Sequence, residues 1–130
     1  MRLDHVALWT NQPEEVKTFY EKFFEGNVES SHSDPDSQFR SYFIRFENQV
    51  RLEVMQMPGV ADNLNHPAER QHLGLIHVSF SVHSRKEVDA LTEMIGSEGY
   101  QVIDRGVEYP DGYYESVVLD PNGNRLEITV

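Results

Sequence analysis

The sequence predicts an α+β fold made of two β-α-β-β-β modules in tandem. Three observations carry this. The tetrapeptide Arg51-Leu52-Glu53-Val54 returns nearly unchanged as Arg125-Leu126-Glu127-Ile128. A histidine opening an apolar run precedes each copy: His5-Val6-Ala7-Leu8 and His77-Val78-Ser79-Phe80. The His-to-Glu spacings nearly agree, 53 − 5 = 48 residues and 127 − 77 = 50.

The 130 residues suit one compact domain, or two half-domains sharing a core. No apolar run has the length of a membrane helix. Met1 is followed at once by Arg2-Leu3-Asp4-His5, which already reads as a strand, so no signal peptide is expected and the protein is expected to be soluble and cytoplasmic. With no cysteine, disulfides, thiolate ligands and a cysteine nucleophile are excluded. A metal site would need imidazole and carboxylate, donors that suit zinc, nickel, manganese, cobalt or iron(II). The formal charge of −11 argues against nucleic acid as a partner.

Module 1 spans residues 1–57. Residues 3–9 alternate, with Leu3, His5, Ala7 and Trp9 on one face of a strand. Thr10-Asn11-Gln12 breaks it, and Pro13 suits the first position of a helix. Val16, Phe19, Tyr20, Phe23 and Phe24 form that helix's apolar stripe, which Gly26-Asn27 stops. Strands are expected over 27–32 and 39–47 around the turn signal Asp34-Pro35-Asp36-Ser37, and over 50–57. Residues 58–73 form a connector in which Pro67-Ala68-Glu69-Arg70 is expected to make one short helical turn.

Module 2 spans 74–130. A strand is expected over 75–82. Ser84-Arg85-Lys86-Glu87 is a capping box, and Val88, Leu91, Met94 and Ile95 continue as an amphipathic helix. Strands are expected over 100–105, 116–119 and 124–130, the last two joined at Asp120-Pro121-Asn122-Gly123. A strand's period of two puts Leu52, Val54, Leu126 and Ile128 on the side that packs under the helices. It puts His5, Glu53, His77 and Glu127 on the opposite side, the concave face of a curved sheet. Two histidines and two carboxylates so placed suit one divalent ion.

These residues resemble the vicinal oxygen chelate superfamily, the group of glyoxalase I, extradiol dioxygenases, epimerases and bleomycin-resistance proteins. The resemblance covers the whole chain. It is most specific over Leu119-Asp120-Pro121-Asn122-Gly123-Asn124-Arg125-Leu126-Glu127-Ile128, then over Gly74-Leu75-Ile76-His77-Val78. It implies a single glyoxalase-like domain whose paired modules form a curved mixed-sheet funnel with the helices outside. It also implies His5, Glu53, His77 and Glu127 as ligands of a divalent metal (zinc, nickel, cobalt or manganese). The implied activity is that of a lyase or isomerase of the glyoxalase I type. Such an enzyme chelates neighbouring oxygens of a small substrate and moves a proton alpha to a carbonyl, with Glu127 first and Glu53 second as the group that moves it.

The same resemblance leaves rivals: an extradiol dioxygenase holding iron(II) on His5, His77 and Glu127, an epimerase, a thiol transferase, or a non-catalytic small-molecule-binding dimer. It implies a homodimer, with the site within one chain or shared between subunits. One departure stands out. Small bacterial glutathione-dependent members usually carry an arginine shortly after the first histidine, where this chain reads Ala7-Leu8-Trp9-Thr10, so a glutathione adduct does not carry over.

A lone histidine on a strand is more often a core or surface residue than a ligand; the duplicated register sets His5 and His77 apart. His32, His66, His72 and His83 receive no role. Trp9, Arg51, Tyr113 and Arg125 are the candidate substrate contacts. For the two arginines, an ion pair at the rim is the plainer alternative.

Overall fold

The computed structural model describes residues 1–47, 49–64 and 68–130. Two compact units emerge, Met1–Asn63 and Leu64–Val130. In unit 1 the order is β1 (His5–Trp9), α1 (Pro13–Phe23), β2 (Asn27–Asp34), β3 (Phe39–Arg45) and β4 (Arg51–Gln56). Unit 2 repeats it with β5 (His77–Ser81), α2 (Arg85–Ser97), β6 (Val102–Glu108), β7 (Tyr114–Leu119) and β8 (Arg125–Thr129). The α+β fold of two β-α-β-β-β modules is therefore as the sequence predicts.

The two sheets share one topology, β1-β4-β3-β2 and β5-β8-β7-β6. The first strand pairs in parallel with the last of its own unit, and the other pairs are antiparallel. A helix follows the first strand and crosses the sheet, which leaves that strand's neighbour to run parallel to it. The register is the same in both units: His5 lies opposite Arg51 and Ala7 opposite Glu53, as His77 lies opposite Arg125 and Ser79 opposite Glu127.

In unit 1, Val16, Phe19, Tyr20 and Phe23 of α1 are buried with Ile44, Leu52 and Val54 of the sheet. Pro13 takes the first helical position. At the other end, the left-handed residue after the helix is Glu25, not Gly26. Gly26 is needed for closeness instead: a Cβ there would stand 2.5 Å from Ile44 Cγ2 and 3.1 Å from the Tyr20 carbonyl oxygen.

In unit 2, Ser84 caps α2 by accepting from the Glu87 amide at 3.3 Å, while the Glu87 carboxylate accepts from the His83 amide at 3.1 Å. The buried stripe of α2 is Val88, Thr92 and Ile95, and Met94 is exposed. Thr92 takes the place expected of Met94 because it stands four residues from Val88. Its hydroxyl is satisfied there, donating to the Val88 carbonyl at 2.7 Å and meeting Ser116 Oγ.

β6 and β7 reach further toward each other than their apolar runs suggest, to Glu108 and Tyr114, because Val107 pairs with Glu115. Both turn signals hold. Asp34 Oδ1 accepts from the Asp36 amide at 3.0 Å, and Asp120 Oδ1 accepts from the amides of Asn122 and Asn124 at 2.9 and 2.8 Å. In the connector, Ala68 and Glu69 form a turn; Pro67 and His66 lie outside the described residues. Among the described residues no helix is long and apolar enough to cross a membrane.

Candidate metal and substrate site

In unit 1, His5 and Glu53 share the sheet face that α1 does not cover. Their Nε2 and Oε2 atoms stand 3.8 Å apart. The other ring nitrogen, Nδ1, is 2.9 Å from Asp4 Oδ2. Hydrogen bonds from His5 and Arg51 hold the Asp4 carboxyl below its ordinary range, so it is an acceptor and Nδ1 carries the hydrogen. In the neutral ring, Nε2 then presents its lone pair toward Glu53. Arg51 is paired with Asp4, lies 3.7 Å from Glu29 and stacks on Phe43 with its guanidinium carbon 4.7 Å from the ring centre. Phe43 also meets the His5 ring edge-on at 5.5 Å.

In unit 2, His77 Nε2 stands 3.5 Å from Glu127 Oε2. The other oxygen, Oε1, accepts from Ser79 Oγ at 2.7 Å and from the Tyr113 hydroxyl at 2.9 Å. Glu127 is buried, and so is Glu115 beside it, which accepts from the Tyr109 hydroxyl at 2.9 Å.

Burial raises the Glu115 carboxyl above its ordinary range; the Tyr109 hydrogen bond opposes the rise and Glu127 adds to it. For Glu127 burial also pushes upward, but the hydrogen bonds from Ser79, Tyr113 and Glu115 outweigh it and the carboxyl ends below its ordinary range. The two neighbouring carboxyls are thus shifted in opposite directions, Glu115 up and Glu127 down. A raised folded-state pKa stabilises the protein fully at low pH, and that contribution fades as pH climbs from the ordinary carboxylate value through the raised one. Glu115→Gln does not titrate. It is expected to gain stability relative to the parent as pH rises above the ordinary carboxylate value, read as the difference in urea midpoints. A difference independent of pH would contradict the assignment.

The donors fit a divalent ion. Two ligands each about 2.1 Å from one ion stand roughly 3.0–3.4 Å apart at octahedral to tetrahedral angles. The Nε2–Oε2 separations of 3.8 and 3.5 Å are near this and too long for direct hydrogen bonds. Second-layer partners that orient a ligand, as Asp4 does for His5 and Tyr113 for Glu127, are common around such ions. Each unit brings together one histidine and one glutamate of the four expected ligands. Among the described residues no group of three or more His, Asp or Glu converges to hold an ion.

Trp9 lies on the His5 face with its ring 6.1 Å from Phe39. Arg125 opens β8 opposite His77 and Leu119. An open groove of about 410 Å³ lined by Asn11, Asp34, Phe39, Arg40 and Gln56 contains neither His5 nor Glu53, so it is not the space in front of the candidate ligands. Sequence reasoning gave no role to Asp4, Ser79, Tyr109 or Glu115. Ser79 and Asp4 were within reach of it: one is two residues from His77 on the same face, the other adjoins His5. Glu115 was hidden because a carboxylate just before an apolar run reads as a strand boundary.

No curated protein matches the chain in sequence. The chain is similar in structure to a glyoxalase family protein from Bacillus cereus, at 15% identity and TM-score 0.82 over 99% of this chain and 93% of that one. A glyoxylase/bleomycin resistance protein/dioxygenase domain from Frankia sp. aligns at 18% identity and TM-score 0.80, over 100% and 97%. Glyoxalase I from Zea mays aligns at 19% identity and TM-score 0.75 over 98% of this chain but 44% of its own, so the chain spans less than half the length of that protein. Residues 2–128 match the family described as the Glyoxalase/Bleomycin resistance protein/Dioxygenase superfamily. With the duplicated module and its repeated His–Glu register on the page, that match shows that the chain belongs to this superfamily.

Proposed function

We propose that the protein is a divalent-metal-dependent lyase or isomerase of the glyoxalase I type, acting on a small molecule with two neighbouring oxygens. His5, Glu53, His77 and Glu127 would hold the ion, within one chain or shared between subunits. The observation that carries this reading is the repeated pair, with a histidine Nε2 facing a carboxylate Oε2 in the same register in each unit. A bound divalent ion supplies Lewis acidity, which makes a C–H beside a chelated carbonyl easier to deprotonate. The protein's own groups do the rest. A carboxylate of the pair accepts the proton and returns it to the neighbouring carbon. Asp4 fixes the His5 ring, Ser79 and Tyr113 orient Glu127, and Trp9 and Phe43 present apolar surface to the substrate. The reading includes a homodimer and a cytoplasmic location; a chain without cysteine loses nothing in a reducing compartment.

The test is elemental analysis of the purified protein with its mass in solution, followed by turnover of 2-oxoaldehyde thiol adducts before and after EDTA. Bound metal, loss of turnover in EDTA and recovery with nickel or zinc are expected. A protein that holds no metal and is indifferent to EDTA and nickel refutes the proposal. Oxygen uptake with catechols would move it to the ring-cleaving dioxygenases.

A further inference from the structure

The groove of about 410 Å³ is built entirely from unit 1, and none of the four candidate ligands lines it. The β1–α1 link at Asn11, the β2–β3 hairpin and the chain leaving β4 toward Pro58 meet there. Its volume lies within the range of small-molecule sites, about 300–1,000 Å³.

One wall is polar. Arg40 and Gln56 are paired across β3 and β4. The Gln56 side-chain oxygen accepts from Arg40 Nε at 3.1 Å and from Nη2, and its amide nitrogen donates to the Asn11 carbonyl at 3.1 Å. This ladder fixes the guanidinium plane with a neutral amide, so the charge stays uncompensated. Among the described residues Nη1 has no partner. By contrast, Arg2, Arg45, Arg51, Arg85 and Arg105 each have a carboxylate within ion-pair distance. Two carboxylates lie near Arg40, and both are engaged elsewhere. Asp34, on the groove wall, accepts from the Asp36 amide at 3.0 Å and from Ser37 Oγ at 2.6 Å. Glu14, close enough for the Arg40 charge to act on it, accepts from the Tyr42 hydroxyl and lies 2.9 Å from Lys17 Nζ. The opposite wall is apolar, formed by Phe39, Met57 and the rings of Pro35 and Pro58.

We propose that this groove binds a flat aromatic monocarboxylate, with the carboxylate on Arg40 and the ring against Phe39 and Met57. The guanidinium edge matches a carboxylate in shape and charge, and Gln56 holds it in place without neutralising it. A single negative charge is what the site accommodates. One cation faces the groove, and a phosphate dianion would be opposed by Asp34 and Glu14. The site needs neither a metal nor unit 2, so it stands apart from the metal-dependent reading above.

The test follows the chain's single tryptophan. The Trp9 ring lies 6.1 Å from Phe39, so its indole N–H resonance reports a ring placed against Phe39. EDTA-treated protein is titrated with 2-naphthoate, and with 2-naphthalenemethanol as the uncharged control, by calorimetry and by this resonance. Saturable binding of one 2-naphthoate per chain with a shifted Trp9 signal is expected. Arg40→Gln is expected to weaken it about 10-fold or more, the usual worth of a hydrogen bond between charged groups. Gln56→Glu, which gives Arg40 a carboxylate of its own and keeps the groove filled as before, is expected to do the same. The alcohol is expected to bind the parent as weakly as the acid binds Arg40→Gln, and His5→Ala to leave the affinity for the acid unchanged. Affinity that survives both Arg40→Gln and Gln56→Glu overturns the proposal, as does a parent chain that takes up no 2-naphthoate at millimolar concentration. A loss from His5→Ala as large as that from Arg40→Gln would place the ligand on the helix-free face and overturn it too. Arg40 is exposed, so its variant should keep the fold, and the comparison of acid with alcohol decides without any variant.

Discussion

His77→Ala is expected to weaken divalent-metal binding by at least about 100-fold while leaving the fold intact. Losing a partner that merely orients a ligand already costs up to roughly 100-fold in affinity, and His77 is proposed as a ligand itself. Its side chain is 43% exposed and its polar contact is the 3.5 Å approach to Glu127. Little packing is lost with it, so the change in stability should stay within about 0.5 kcal/mol, as for ordinary surface positions. The measurement is a chelator-competition titration alongside urea unfolding. Unchanged affinity would remove His77 from the ligand set. Lost affinity with an equally lost fold would make it a structural histidine.

Phe19→Ala is expected to have the largest effect on stability, about 3–5 kcal/mol. Phe19 is 1% exposed and its ring lies 5.1–5.7 Å from those of Tyr20, Phe23 and Phe24. A cavity among the three remaining aromatic rings is hard to close by small shifts. Set against typical domain stabilities of about 5–15 kcal/mol, the loss threatens unit 1 as a whole. Met94→Ala, on the exposed side of α2, is the control and should change stability by less than about 0.5 kcal/mol. Similar shifts in the two variants would mean that α1 is not anchored by its aromatic stripe.

Particular residues show how far the sequence reached. The α1 stripe was legible because five apolar side chains recur at helical spacing and all five are buried. The face of each candidate ligand was legible because a strand alternates strictly, and because Leu52, Val54, Leu126 and Ile128 are buried on the opposite side. Thr92 was missed because its burial depends on Ser116, 24 residues away, which periodicity does not see. Glu115 was missed for a similar reason: its acceptor role needs Tyr109, and its upward shift needs burial and Glu127 close by. Polar residues that enter a core in partnership are read from pairs, and a sequence presents them singly. In β7 and β8 consecutive residues are buried on both faces, so alternation does not mark an exposed side there.

The parallel pairing of each first strand with its unit's last has a consequence for the order in which the chain becomes itself. As the chain is synthesised, β1 has no partner until β4 has been made, and β5 has none until β8 follows it. Unit 1 can close its sheet once Gln56 has emerged, long before β8 exists. Unit 2 must hold β5, α2, β6 and β7 with a gap where its central strand belongs, because β8 enters between β5 and β7. Its apolar strand edges stay unpaired through that interval, as those of unit 1 do until β4 is made, so each half is open to aggregation until its last strand arrives. The strand that ends the wait is also the one that carries Glu127, so this half of the candidate metal site forms in the same step that completes the sheet.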